Sequence, residues 1–343
     1  YNNGKYTIAE KQQMFPHLFN SLSIVIPVLS STFASVGRFL KHAGNMSLGM
    51  LIIDESGQAV PQSALGAIYR TRRAVVVGDP LQVEPVVTIP KVLIDILADS
   101  TCVANEYKVI ENSAQTFADN INEFNGMIGE RQVGCPLVVH RRCIEPMFSI
   151  SNLISYDNRM FNKTNKKEEY LKPENPFLIK KSGWINVEGV ENGGKDHFVK
   201  NQAERVCQLM EDAVHIYSDL FETDDKIFII TPFRTVAESM RKFIISYFSA
   251  KGYDKEILSK WTKNCVGTVH TFQGKDANEV LLVLGCSNKS AGAMNWVVKK
   301  ANILNVACTR AKYRIAFIGN INDWKNRRYF REFIPNLIDI INV

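Results

Sequence analysis

The chain has 343 residues, 45% of them hydrophobic and 22% charged, which is enough apolar matter for two ordinary globular cores and excludes a wholly disordered polymer. Its 41 Lys and Arg against 35 Asp and Glu leave a formal charge of +6, a mild basic excess that favours polyanionic partners without proving one. The apolar runs fall far short of the roughly 20 residues of a membrane-crossing helix, no signal pattern opens the chain, and the seven cysteines stand singly, without a CxxC pair or a close Cys/His set. A cytoplasmic protein with reduced thiols and no membrane partner is expected.

In chain order, apolar runs rich in β-branched residues occur at 23–29, 50–53, 74–77, 226–231, 265–269, 280–284 and 313–318, most of them followed by a stretch of helical spacing. Continuously hydrophobic strands alternating with helices predict an α/β fold of parallel sheets covered on both faces. The stretch 157–183, polar and interrupted by Pro173 and Pro176, reads as a surface excursion. A boundary around 103–112 divides the strand groups into two domains, 1–108 and 109–343.

Chemistry-bearing residues gather at the ends of these runs. After 50–53 come Asp54 and Glu55. One carboxylate can hold magnesium while its neighbour polarises an attacking water, as phosphoryl transfer requires; taken alone, such a pair is usually a helix cap and a solvated charge. After 74–77 come Gly78, Asp79, Pro80 and Gln82, where the Gly and Pro shape a turn that aims Asp79 and Gln82 above the sheet. The run at 265–269 leads into His270, Thr271, Gly274 and Asp276, with Gly274 allowing close approach to a phosphate and Thr271 able to donate to a nucleic-acid backbone oxygen. Arg310 follows small residues in a segment of helical spacing, which leaves it room to reach across an interface.

Together these segments resemble the superfamily 1 helicases, in particular the branch that includes the nonsense-mediated-decay helicase. Asp54-Glu55-Ser56-Gly57-Gln58 resembles motif II and Gly78-Asp79-Pro80-Leu81-Gln82 resembles motif III. Residues 138–143 are similar to the family's Gln-Tyr-Arg segment, with Arg142 at the phosphate-contacting arginine and Arg141 at the aromatic position. Residues 230–234 resemble motif IV, with Val236 where glutamine is frequent; 269–276 resemble motif V, with Asp276 where glutamate is usual; 305–312 resemble motif VI around Arg310.

The resemblance implies two RecA-like domains with ATP in the cleft between them. Asp54 then holds Mg2+, Glu55 orients the water, Gln82 senses the γ-phosphate, and Arg142 and Arg310 stabilise transition-state charge, with Asp79, Gly274 and Asp276 on the nucleotide side. Single-stranded DNA or RNA is expected along Ser30, Ser31, Thr32, Thr231, Pro232, Phe233, His270 and Thr271. No Gly-x-x-x-x-Gly-Lys-Ser/Thr loop occurs: the Gly-Lys pairs at 4–5, 194–195 and 274–275 continue with Tyr6, Asp196 and Asp276. The expectation is therefore a motor fragment with an incomplete first domain, inactive by itself. Its strand at 74–77 is expected to self-associate along an exposed edge or to be covered by 1–29. A non-hydrolysing nucleic-acid-binding scaffold with the same fold stands as the alternative.

Overall fold

A computed structural model describes residues 5–108, 110, 112–128, 131–164, 177–191, 193, 196–272 and 274–341. Gln273 and the lysines at 166 and 167 of the polar excursion lie outside the described residues. The chain forms two compact units, Tyr1–Met127 with Arg131–Pro136, and Ile128–Glu130 with Leu137–Val343.

In the first unit, helix α1 (Ile8–Val25) starts from a reciprocal cap. Thr7 Oγ1 accepts from the Glu10 amide at 3.3 Å, and Glu10 Oε2 accepts from the Thr7 amide at 2.7 Å. Phe15 packs with Leu40 and Ala43, flanked by Phe19, Val36 and Leu48. The strand expected at 23–29 is absent: α1 runs on through Val25, and 26–32 are irregular up to α2 (Phe33–Phe39). Ile24 is 85% exposed and Val28 81%. Without a neighbouring strand to pair, β-branched residues have no sheet to join, and the capped helix carries through them.

Strands β1 (Leu48–Ile53) and β2 (Thr71–Val76) pair in parallel with Ile53 opposite Val76, and α3 (Pro61–Tyr69) connects them. Helix α4 (Lys91–Ser100) follows, then α5 (Ala114–Ile121). The Ala114 amide donates to Ala59 O at 2.8 Å, and Ala114 shares a buried cluster with Ile53 and Ala64. These contacts place α5, which lies beyond the boundary expected near 108, in the first unit. Short strands β3 (Gly126–Ile128) and β4 (Arg131–Val133) form a local ladder.

The second unit opens with the paired strands β5 (Val139–His140) and β6 (Phe161–Asn162), separated by α6 (Met147–Ser155). Its main sheet contains β7 (Gly183–Asn186), β8 (Ile227–Thr231), β9 (Val266–Thr268), β10 (Ala277–Val283), β11 (Ala311–Gly319) and β12 (Asp339–Ile340), in the order β12-β7-β11-β10-β8-β9 with every pairing parallel. Between the strands run α7 (Lys200–Ile216), α8 (Arg234–Ser249), α9 (Lys255–Cys265), α10 (Ala291–Val297), α11 (Asn302–Arg310), α12 (Ile321–Trp324) and α13 (Phe330–Leu337). Every residue of β8 is buried, as a strand covered on both faces requires. Trp184 of β7 stacks on Phe317 at 5.7 Å, and its indole N–H donates to Gly319 O at 2.8 Å.

A carboxylate lies inside this core. Glu279 of β10 is fully buried, and its carboxylate accepts from the amides of Leu178 (2.9 Å) and Ile179 (2.6 Å) and from Tyr217 OH (2.6 Å). Burial nevertheless raises its pKa above the ordinary carboxylate value, outweighing those hydrogen bonds and the Arg314 charge. Among the described residues no helix is long and apolar enough to cross a membrane.

Candidate functional site

In the first unit, the parallel register of β1 and β2 brings the two predicted carboxyl-bearing loops to the same strand ends. Asp54 and Glu55 are both exposed there. Glu55 adopts a left-handed backbone (φ 52°), its amide donates to Asp54 Oδ1 at 2.9 Å, and Gln58 Nε2 donates to Glu55 Oε2 at 3.1 Å. Such a conformation costs a non-glycine residue about 1–2 kcal/mol and persists only where its surroundings hold it.

The surroundings are two interlocked loops. The Val77 amide donates to Ile53 O at 2.8 Å, and the Ser56 amide returns a bond to Val77 O at 3.0 Å. Ser56 Oγ lies 2.8 Å from Val77 O and 2.6 Å from Gln115 Oε1. A Cβ on Gly78 would fall 2.6 Å from the Gly57 nitrogen and 2.6 Å from Ser56 Oγ; one on Gly57 would fall 2.7 Å from Asp79 O. Two glycines at 57 and 78 are thus what lets the loops touch. Within the second loop, Asp79 accepts from the Leu81 amide at 2.9 Å and from Gln82 Nε2 at 3.0 Å, which fixes the glutamine side chain.

Three supporting residues escaped the sequence reading. Gln115 carries the Ser56 contact on to Asp119, donating to its Oδ1 at 2.8 Å. Arg131 donates to Pro80 O at 3.3 Å and Thr116 Oγ1 at 2.9 Å, and burial lowers its pKa against the opposing pull of Asp119, Asp79 and Glu84. No sequence motif marks them, because they act through long-range packing. Ser30, Ser31 and Thr32 lie exposed just before α2.

In the second unit, three predicted segments converge. Asp276 accepts from Lys312 Nζ at 2.7 Å and pairs with Arg142 Nε at 3.9 Å. Arg310 is 1% exposed; its Nη1 donates to the carbonyls of Phe272 (3.3 Å) and Lys275 (3.1 Å). Arg142 and Arg310 therefore flank one loop, 272–276, with the latter turned inward rather than reaching out. Gly274 has φ 75°, open to a glycine at no steric cost.

The strand-contacting candidates divide by exposure. His270 and Thr271 are exposed, and Gly267 makes room for Thr271, whose Oγ1 would lie 2.6 Å from a Cβ there. Thr231, Pro232 and Phe233 are buried, with Phe233 between the rings of His197 (4.7 Å) and Trp296 (5.8 Å). Trp296 is 53% exposed, whereas Trp184, Trp261 and Trp324 are buried, and it offers the accessible aromatic face beside Phe233.

AAA-domain families match residues 123–322 and residues 3–89, the first alone covering more than half of the chain. Mouse probable helicase senataxin is 22% identical over 92% of this chain and 11% of its own length. An uncharacterised ATP-dependent helicase of Methanocaldococcus jannaschii is 24% identical over 83% and 38%, and regulator of nonsense transcripts 1 of Caenorhabditis elegans is 26% identical over 85% and 26%. The chain thus spans well under half the length of each of these relatives. A solved arterivirus helicase–DNA complex aligns at 12% identity with a TM-score of 0.37, over 81% of this chain and 41% of that one. The chain belongs to the AAA-domain helicases of superfamily 1, in the branch that holds the nonsense-transcript regulators.

Proposed function

We propose that the chain is the motor region of an ATP-dependent helicase or translocase acting on single-stranded DNA or RNA, its two compact units serving as the two motor domains. The observation that carries this reading is the interlock at 56–57 and 77–79, which holds Asp54, Glu55, Asp79 and Gln82 at one end of the β1–β2 pair. Hard carboxylate oxygens on an exposed strand end suit magnesium, with Asp54 as its holder; the ion would neutralise phosphate charge when bound. Glu55 takes the role of orienting the hydrolytic water, and Gln82, steadied by Asp79, that of sensing the terminal phosphate. On the second unit, Arg142 is the phosphate-contacting arginine of this reading, and Arg310, donating to the Phe272 and Lys275 carbonyls, holds the loop that carries Gly274 and Asp276. Arginines in that role are worth about 10³–10⁵ in rate.

Nucleic acid is read here through hydroxyls and aromatics: Ser30, Ser31 and Thr32 in one unit, His270, Thr271 and Trp296 in the other, with Thr231, Pro232 and Phe233 supporting from beneath. The exposed apolar face of β2, with Val75 at 45%, is consistent with self-association of the chain. Strand-stimulated ATP hydrolysis by the intact protein tests the proposal. Glu55→Gln is expected to abolish stimulated turnover while leaving nucleotide binding in place. No stimulated turnover by the unmodified protein would leave the non-hydrolysing scaffold as the reading.

A further inference from the structure

The second unit brings together three side chains of different ligand chemistry that no motif connects. Glu191 sits at an isolated bridge to Val199, His197 just before α7, and Cys286 just past β10. A carboxylate oxygen, an imidazole nitrogen and the thiol sulfur all lie within 4.8 Å of one another. We propose that Glu191, His197 and Cys286 form a binding site for one zinc-class divalent cation.

The geometry requires little closure. Zinc holds oxygen, nitrogen and sulfur ligands at about 2.0–2.3 Å, which in a tetrahedron sets them roughly 3.3–3.8 Å apart. His197 Nδ1 and Glu191 Oε1 are already 3.8 Å apart. Independently of the distances, His197 Nδ1 is buried and makes no hydrogen bond among the described residues. Buried ring nitrogens are ordinarily satisfied, and a cation is the partner this one's neighbours can position. Cys286 is 2% exposed, so its sulfur faces the cluster and not solvent.

The supporting shell is also in place. The Ser287 amide donates to Glu191 Oε1 at 3.0 Å and Ser290 Oγ to Oε2 at 2.8 Å, orienting the carboxylate while leaving it further lone pairs. The Cys286 amide donates to His197 O at 2.9 Å, locking two ligand-bearing residues together. Both hold left-handed backbones, φ 58° at His197 and 55° at Cys286. A Cβ on Gly285 would lie 2.8 Å from His197 O, so the sharp turn into Cys286 depends on glycine at 285.

Thiolate with imidazole selects zinc-class ions over magnesium or calcium. On binding, the Cys286 S–H bond breaks and its proton passes to solvent, a sulfur–metal bond forms, and no atom changes oxidation state. Thiolate and carboxylate together balance a 2+ ion, which lowers the cost of burying it. Three protein ligands leave a fourth position for water. Because the His197 ring packs on Phe233 at 4.7 Å, the ion would also fix the floor beneath the Phe233–Trp296 pair. The site stands whether or not the motor reading holds.

The test uses the full chain, stripped with a chelator and carrying Cys102→Ser and Cys135→Ser to remove the two exposed thiols. Titration with Co2+ alone should saturate at one equivalent with a thiolate-to-cobalt charge-transfer band, and Zn2+ should bleach that band by displacement. Cys286→Ser should abolish the band, and Glu191→Gln and His197→Gln should each weaken binding by at least about tenfold. Circular dichroism of the metal-free variants checks that each is folded, and the two partly exposed positions carry the test should Cys286→Ser unfold. Absence of saturable binding, a band that survives Cys286→Ser, or unchanged affinity in both Glu191→Gln and His197→Gln would overturn the proposal.

Discussion

Gly78→Ala is the sharpest probe of how the first unit is built. The added methyl would sit 2.6 Å from the Gly57 nitrogen, 2.6 Å from Ser56 Oγ and 2.7 Å from the Ser56 nitrogen. Two of these are backbone atoms, so no side-chain rotation relieves the clash, and the loops after β1 and β2 must part. Overpacking of this kind costs about 1–3 kcal/mol. Parting also breaks the two Ser56 bonds to Val77 O, at about 1 kcal/mol each, for roughly 3–5 kcal/mol in all. Gly37→Ala is the matched control: it lies inside α2 with nothing within 4 Å of its Cβ, and should stabilise by about 0.5–1 kcal/mol. Denaturant unfolding with hydrogen exchange at the Ser56 and Val77 amides measures both effects. A Gly78→Ala variant within about 0.5 kcal/mol of the parent, with those amides still protected, would refute the interlock.

Other perturbations follow from the same geometry. Ser56→Ala strands the buried Gln115 Oε1 and should cost about 1–3 kcal/mol in a chemical-denaturation midpoint. Glu279 binds its proton more tightly folded than unfolded, so its contribution to stability is greatest at low pH and is lost as pH rises above 4.5 towards the raised folded value. A carbon-detected titration should place that carboxyl above 4.5, and Glu279→Gln should remove the matching slope of stability with pH; titration at or below 4.5 contradicts the burial argument. Trp296→Ala should weaken single-strand binding by about 1–3 kcal/mol in fluorescence anisotropy if its exposed face stacks on a base.

Much of this architecture was legible in the sequence where strand and site coincide. The runs at 226–231, 265–269, 280–284 and 313–318 lie on observed strands or their immediate ends because a strand buried on both faces must be apolar throughout, whereas those at 50–53 and 74–77 lie on strands that leave Met50, Ile52 and Val75 exposed, so the expected cover on both faces is not found there. The run at 23–29 has the same composition yet is helix and irregular chain, since a strand exists only with a partner and composition does not report one. Strand β7 went unread because only four residues, Gly183–Asn186, mark it, at the end of a polar stretch. Asp54, Glu55, Asp79 and Gln82 are grouped by the order of their two strands and the resemblance of their segments to motifs II and III. The inward turn of Arg310, the burial of Glu279 and the meeting of Glu191, His197 and Cys286 could not be read in this way, because each depends on residues far apart in the chain.

The strand order of the second unit has a consequence for how the chain is made. β7 lies between β11 and β12 and, among the described residues, pairs with no other strand, so the earliest member of the main sheet waits for the two latest. During vectorial synthesis β8, β9 and β10 can assemble as they emerge, while Trp184 stays unstacked until residues 311–319 arrive with Phe317. Long-range closure of this sort slows folding and leaves apolar surface open in the interval. A ribosome-bound chain ending before residue 311 should therefore hold an accessible indole at 184 and a natural binding site for chaperones.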